Sequence, residues 1–354
     1  MKLDDHITRV IERSRAFFNA PEPGHFLIST HIPVDSPAIP PLNQFDLDTQ
    51  LTEWLEYLLE AERPKWRIKE GLDDDSIPCI CPSFGIAEHT AWLGMDVQFQ
   101  ETTCLPVPGL KFPADLDALV LSDETRWFNY MKRGYEYLRE RKDGTFVLSV
   151  RGTMMPMDIA NAIRGDEIFL DFMLDPQFVH RLMQFLVDAI RWYYDQLRTW
   201  ADELEYGHAF RLGNGWIGPN CLGHTSNDLA MMCSAEIYRE FGFPYEQQLA
   251  QHYNRVLYHV HNEKIHYVPD VATLSNLALL EVSHDPKTVP PIEDLDNIFN
   301  MTGNANLMLH ATSDQVRAQL NKLAARNVFL NIHCRDRADA EDVVALVRKH
   351  SKPL

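Results

Sequence analysis

Eight short apolar runs, starting near residues 25, 77, 145, 210, 256, 277, 305 and 328, recur along the chain with helical patterns between most of them. Strands that alternate with helices in this way form parallel sheets covered by those helices. Eight such units are the count of a (β/α)8 barrel. The expected fold is therefore α/β, a single TIM-barrel domain over residues 1–354 with an N-terminal helix and a long excursion after strand 2. Reactive groups of such barrels sit at the carboxyl ends of the strands.

The helices between these runs carry local signals. Ile7, Val10, Ile11 and Phe17 keep helical spacing over residues 5–18, and the pattern stops before Pro21 and Pro23. Residues 48–62 place Leu51, Trp54, Leu55, Leu58 and Leu59 on one face. A helix over 124–141 precedes the Asp143-Gly144 turn, and two helices over 166–200 break at Asp175-Pro176. Ser234 caps a helix over 234–254, Thr312 and Gln315 form a capping box for 313–326, and a last helix covers 339–350. The fourth strand is read at Phe210 to Gly218, followed by a polar loop from Gly223 to Asp228. Residues 82–113 hold Gly85, Gly94, Pro106, Pro108 and Gly109 and read as irregular, which suits a lid over the barrel mouth or a segment packed outside it.

Composition narrows the partners. A net charge of -18 supplies no basic face for nucleic acid or an anionic membrane. No apolar run approaches the eighteen or so residues that span a bilayer, so the expected location is the cytoplasm. Six cysteines over 354 residues are too sparse for a disulfide scaffold and are expected as thiols or ligands. The Cys79-Ile80-Cys81 spacing is shorter than that of a zinc knuckle and reads as core packing.

The chemistry is expected at the ends of three strands. In Val256 to Glu263, positions 259 and 261 point to one side, so His259 and His261 aim two imidazoles at one point. Among fifteen histidines such a pair is often coincidence; the strand-end placement of Glu281 and Cys334 singles it out. If these strands neighbour one another, His259, His261, Glu281 and Cys334 converge as ligands of Zn2+, with Glu281 the displaceable one. His284, Asp285 and His310 lie near the same ends as partners of the ligands or proton carriers, with ordinary loop hydrogen bonds the alternative. Asp228 is read as a substrate contact from the fourth loop, or as a bond at a helix start. Cys334 has the alternative of a buried core thiol.

Several segments together resemble a known superfamily. Ser226-Asn227-Asp228-Leu229, then Ser234-Ala235-Glu236-Ile237-Tyr238-Arg239-Glu240-Phe241 with Pro244, resemble the Asp-Leu, Ser-Pro-Glu and Pro-Tyr pattern of the uroporphyrinogen decarboxylase superfamily. Gly303 to Asn306, Thr312 to Val316 and Ala338 to Val343 are similar to later family segments. Within it the chain is closer to the zinc-dependent, corrinoid-linked methyltransferase branch, whose fifth strand carries His-x-Cys and whose last strand carries a second cysteine. Here His259-Val260-His261 and Cys334 stand at those places, imidazole replacing one thiolate. Glu281-Val282-Ser283 resembles the Glu-Thr-Ser strand of cobalamin-independent methionine synthases.

The resemblance implies methyl transfer from a corrinoid carried by a separate protein to a thiol or similar small-molecule acceptor activated on zinc. A metal-free decarboxylase or lyase acting on a carboxylic acid is the alternative, although the Arg-rich decarboxylase signature has no match before residue 45. A non-catalytic binding protein on the same scaffold is a third reading.

Overall fold

The computed structural model describes residues 3–86 and 88–352. Nine short strands, numbered here in chain order, make two parallel sheets. They are β1 (Phe26–His31), β2 (Cys79–Ile80), β3 (Val147–Leu148), β4 (Thr153–Met154), β5 (Cys221–Ser226), β6 (Arg255–His261), β7 (Leu277–Ser283), β8 (Leu307–Thr312) and β9 (Val328–His333). Seven form one sheet in the order β1-β9-β8-β7-β6-β5-β4, and β2 pairs only with β3. Among the described residues the strands do not join into a closed hydrogen-bonded ring. The observed class is thus mixed α/β with a large parallel sheet.

The break beside β1 has a visible cause. Residues 74 and 75 lie along its free edge, and their carboxylates take backbone donors that a neighbouring strand would otherwise pair. Asp75 Oδ2 accepts from Ile28 N at 2.8 Å, and Asp74 Oδ2 accepts from Thr30 N and its hydroxyl at 3.2 and 2.8 Å. Buried Asp75 is itself held by Arg13 at 3.3 Å and Arg348 at 2.6 Å. An edge satisfied by side chains does not recruit another strand.

The fourth strand differs from the expectation. Phe210 to Gly218 lies outside the parallel sheets; His208–Ala209 and Trp216–Ile217 pair antiparallel around a turn in which Gly213 and Asn214 take φ of +70° and +53°. The strand between β4 and β6 is β5, which starts three residues after Gly218 and overlaps the stretch read as polar loop. A Cβ on Gly213 would sit 2.5 Å from Met308 Cε, so the turn tucks against β8 only because that residue has no side chain.

Alternation divides the core. Leu27, Leu257, Leu279, Met308 and Phe329 pack with Phe210, Ile217 and Cys221 on one face, whereas Ile28, Leu280, Leu309 and Leu330 face the helices. The helices follow their local signals. Leu3–Asn19 and Leu47–Arg67 match the first two patterns. Asp175 caps Pro176–Trp200 by accepting from Phe178 N, and the Thr312 and Gln315 capping box opens Ser313–Leu323. The 234–254 pattern is broken by a π turn at Tyr238–Gly242.

The excursion after β2 is more regular than expected. It holds the hairpin Val97–Phe99 with Cys104–Pro106, and Leu110 N donates to Ile163 O, which ties it to the helix Pro156–Arg164. No described helix is long and apolar enough to cross a membrane.

Candidate metal centre

His259 and His261 occupy alternate positions at the end of β6, opposite Glu281 and Ser283 of β7. The pleat turns both imidazoles to one side, and their Nε2 atoms lie 3.3 Å apart. Two nitrogens at tetrahedral Zn–N distances of about 2.0–2.1 Å would be separated by roughly 3.3–3.4 Å. Asp228 Oδ1 lies 3.6 Å from His261 Nε2. Ligand atoms of Asp228, His259 and His261 all fall within 4.8 Å of one another.

The far nitrogen of each imidazole is held by a carboxylate. His259 Nδ1 meets Glu281 Oε2 at 2.9 Å, and His261 Nδ1 meets Asp285 Oδ1 at 2.7 Å. A carboxylate at Nδ1 keeps the proton there and leaves the Nε2 lone pair to face the shared point. Asp285 is fixed in turn by Glu263 N on its Oδ2 at 2.8 Å.

Burial alone would raise the Glu281 carboxyl, but hydrogen bonds from His259 and His310 outweigh it and hold the group far below the usual carboxylate range. Burial likewise opposes the charged form of His259, yet the bond and charge of Glu281, with Asp228 and Asp285 nearby, raise it. Both directions reflect the charge-assisted hydrogen bond that His259 Nδ1–H donates to ionised Glu281.

The loop carrying Asp228 is positioned by a residue the sequence did not single out. Buried Asp158 accepts from the backbone N–H groups of Asp228 and Leu229 at 2.9 and 2.7 Å. Its own carboxyl is pushed up to about 8 by burial and by the charge of Asp228. His224 of β5 also escaped notice: its Nε2 lies 3.6 Å from Glu281 Oε2, and burial pushes it down to about 4. Reading β5 as a strand would have placed this histidine at a strand end.

The remaining expected residues separate. His310 reaches the cluster by bonding Glu281 Oε1 through Nε2. His284 faces solvent and contacts the carbonyl oxygen of Thr288 at 3.1 Å. Cys334 belongs to neither group of three converging donors among the described residues. It lies one residue beyond β9, packs with the core and also lines a cavity shared with His224, His310 and His333. Its thiol donates to Ile332 O at 3.7 Å, and burial pushes it up to about 11. Glu281 meets the outer nitrogen of His259 and, with His224 and His259, makes a second group of three potential donors within 4.8 Å of one another.

Each group of converging donors comprises two imidazole nitrogens and one carboxylate oxygen. Such a set suits zinc with open coordination positions, or a harder divalent ion, better than a thiolate-rich centre. Asp228 is half exposed, which leaves an approach to that point from solvent.

No protein-family model matches the chain, and no curated protein does. Among solved structures, a methyltransferase from Methanosarcina mazei superposes with a TM-score of 0.60 over 96% of this chain and 98% of its own, at 10% sequence identity. The chain thus shares its fold with a methyltransferase, at an identity that speaks for the fold alone.

Proposed function

We propose that the chain is a metal-dependent methyltransferase whose metal is held by His259 Nε2, His261 Nε2 and Asp228. The observation that carries this reading is the pair of Nε2 atoms 3.3 Å apart, each ring locked from behind by its own carboxylate. Zinc is the ion this donor set suits when the ligand count is three and a position stays open. The shared fold supports methyl transfer over other metal chemistry.

Bound there, the metal would act as a Lewis acid that favours the deprotonated form of an acceptor thiol or similar group. The protein's own part is to fix geometry. Glu281 and Asp285 hold the protons at Nδ1 of His259 and His261. His310 bonds the second oxygen of Glu281 through Nε2 and helps to keep that carboxyl ionised. Asp158 holds the Asp228 loop against the ends of β5 and β6. The methyl donor proposed by resemblance is a corrinoid on a separate protein.

The two parallel sheets are read together as an interrupted (β/α)8 barrel in one domain, because residues from both wall a single cavity. Six free buried thiols suit a reducing compartment such as the cytoplasm. The test is transfer from methylcobalamin to a small thiol, followed by cobalamin absorbance with and without added zinc. Zinc-dependent demethylation that falls at least a hundredfold in Asp228→Ala is expected; a rate indifferent to zinc and to this substitution refutes the reading.

A further inference from the structure

A cavity of about 800 Å3 adjoins the cluster: His224 and His310 lie in its wall and both face Glu281. Its charge runs against that of the chain. The protein carries a net charge of -18, yet the cavity wall contains Lys65, Lys69, Arg151 and Arg211 against one carboxylate, Glu62. Glu62 is taken by Lys65 at 2.9 Å, and Lys69 leans on Asp74 at 3.6 Å. Arg211 makes no ion pair among the described residues.

Unpartnered donors add to the cations. Asn331 accepts from His31 Nε2 at 3.1 Å, and its amide nitrogen makes no hydrogen bond among the described residues. His224 Nε2 is buried without a hydrogen-bond partner. His31 stacks on His333 at 4.9 Å, and burial, then the charge of Lys69, pushes it down to about 4. A half-enclosed cavity concentrates such a field, because low-dielectric walls screen it less than water does.

We propose that this cavity binds a small organic anion, a carboxylate or a phosphate, with its charged head at Arg211 and its other end toward His224 and His310. A volume of about 800 Å3 suits a small molecule and excludes a macromolecular chain. This names the class of the acceptor and rests on the metal-centre reading only for what happens at the far end. The binding itself does not depend on the metal.

Calorimetric titration of the purified chain at fixed ionic strength tests it, with sodium succinate, inorganic phosphate and uncharged succinamide as probes. Saturable one-site binding of succinate or phosphate is expected, whichever binds tighter identifying the head group, with succinamide at least tenfold weaker. Arg211→Gln, at an exposed position, should weaken the anion tenfold or more while keeping the far-ultraviolet spectrum of the parent. His259→Ala should keep anion affinity within threefold, which separates this inference from failure of the metal centre. No binding of either anion, equal binding of succinamide, or an unchanged Arg211→Gln would overturn it.

Discussion

Asp285→Asn is the perturbation that best isolates how the imidazoles are held. Asp285 is buried, and its two oxygens do separate jobs: Oδ1 accepts from His261 Nδ1 at 2.7 Å and Oδ2 accepts from Glu263 N at 2.8 Å. An asparagine cannot do both. With its oxygen toward His261, its NH2 confronts the Glu263 N–H; reversed, it donates to His261 Nδ1 and drives the ring proton to Nε2, where a ligand lone pair is needed. Either way a charge-assisted bond behind the ligand is lost. Removing such a partner weakens metal affinity about 10- to 100-fold, or roughly 1.4 to 2.7 kcal/mol. The assay is competition for zinc against a chromophoric chelator, with the metal-free melting midpoint as a control for folding. Zinc affinity within about twofold of the parent, at an unchanged midpoint, would refute the orienting role.

Three further outcomes follow from other parts of the molecule. Asp75→Ala strands two arginines and the Ile28 N–H, and should cost about 3–5 kcal/mol in urea unfolding; a loss under about 1 kcal/mol would contradict the account of the β1 edge. Glu246 is fully buried, and burial pushes its carboxyl up to about 7 against donors from Tyr238, Asn227 and Tyr258. Between its ordinary value of 4.5 and about 7, the unfolded chain has released this proton while the folded chain retains it, so stability falls as pH rises across that window. Glu246→Gln should remove a fall on the order of 3 kcal/mol, and an identical pH slope in urea titrations of both proteins would contradict it. Gly213→Ala forces a side chain into a left-handed turn and against Met308, so a melting midpoint several degrees lower is expected; an unchanged midpoint would count against the tight packing of that turn.

Local chemistry made the helices legible. Asp175, Ser234 and Thr312 cap helices where their side chains predict, because capping depends on neighbours three residues away. The strand pattern misled at one place. Phe210 to Gly218 is apolar because it plugs the space inside the sheet, whereas β5 reads Cys-Leu-Gly-His-Thr-Ser because its residues approach the polar cluster. The pairing of His259 with His261 followed from a period of two and is present in the structure. Cys334, one residue past β9, lines the cavity beside His310 and His333 yet joins neither group of converging donors among the described residues. Asp285, expected beside the ligands from its place at a strand end, does hold His261, whereas the role of Asp158 was not readable, since it depends on how the Asp228 loop returns to a distant helix.

The central claim is that two imidazoles and a carboxylate, without a thiolate, hold one metal ion at the ends of β5 and β6. X-ray absorption at the zinc edge, on protein purified without added metal, measures this most directly. The account predicts close to one zinc per chain, nitrogen or oxygen neighbours near about 2.0–2.1 Å, no sulfur near about 2.3 Å, and the same spectrum in Cys334→Ala. A zinc content below about 0.2 per chain, or a sulfur neighbour that disappears in Cys334→Ala, would contradict it.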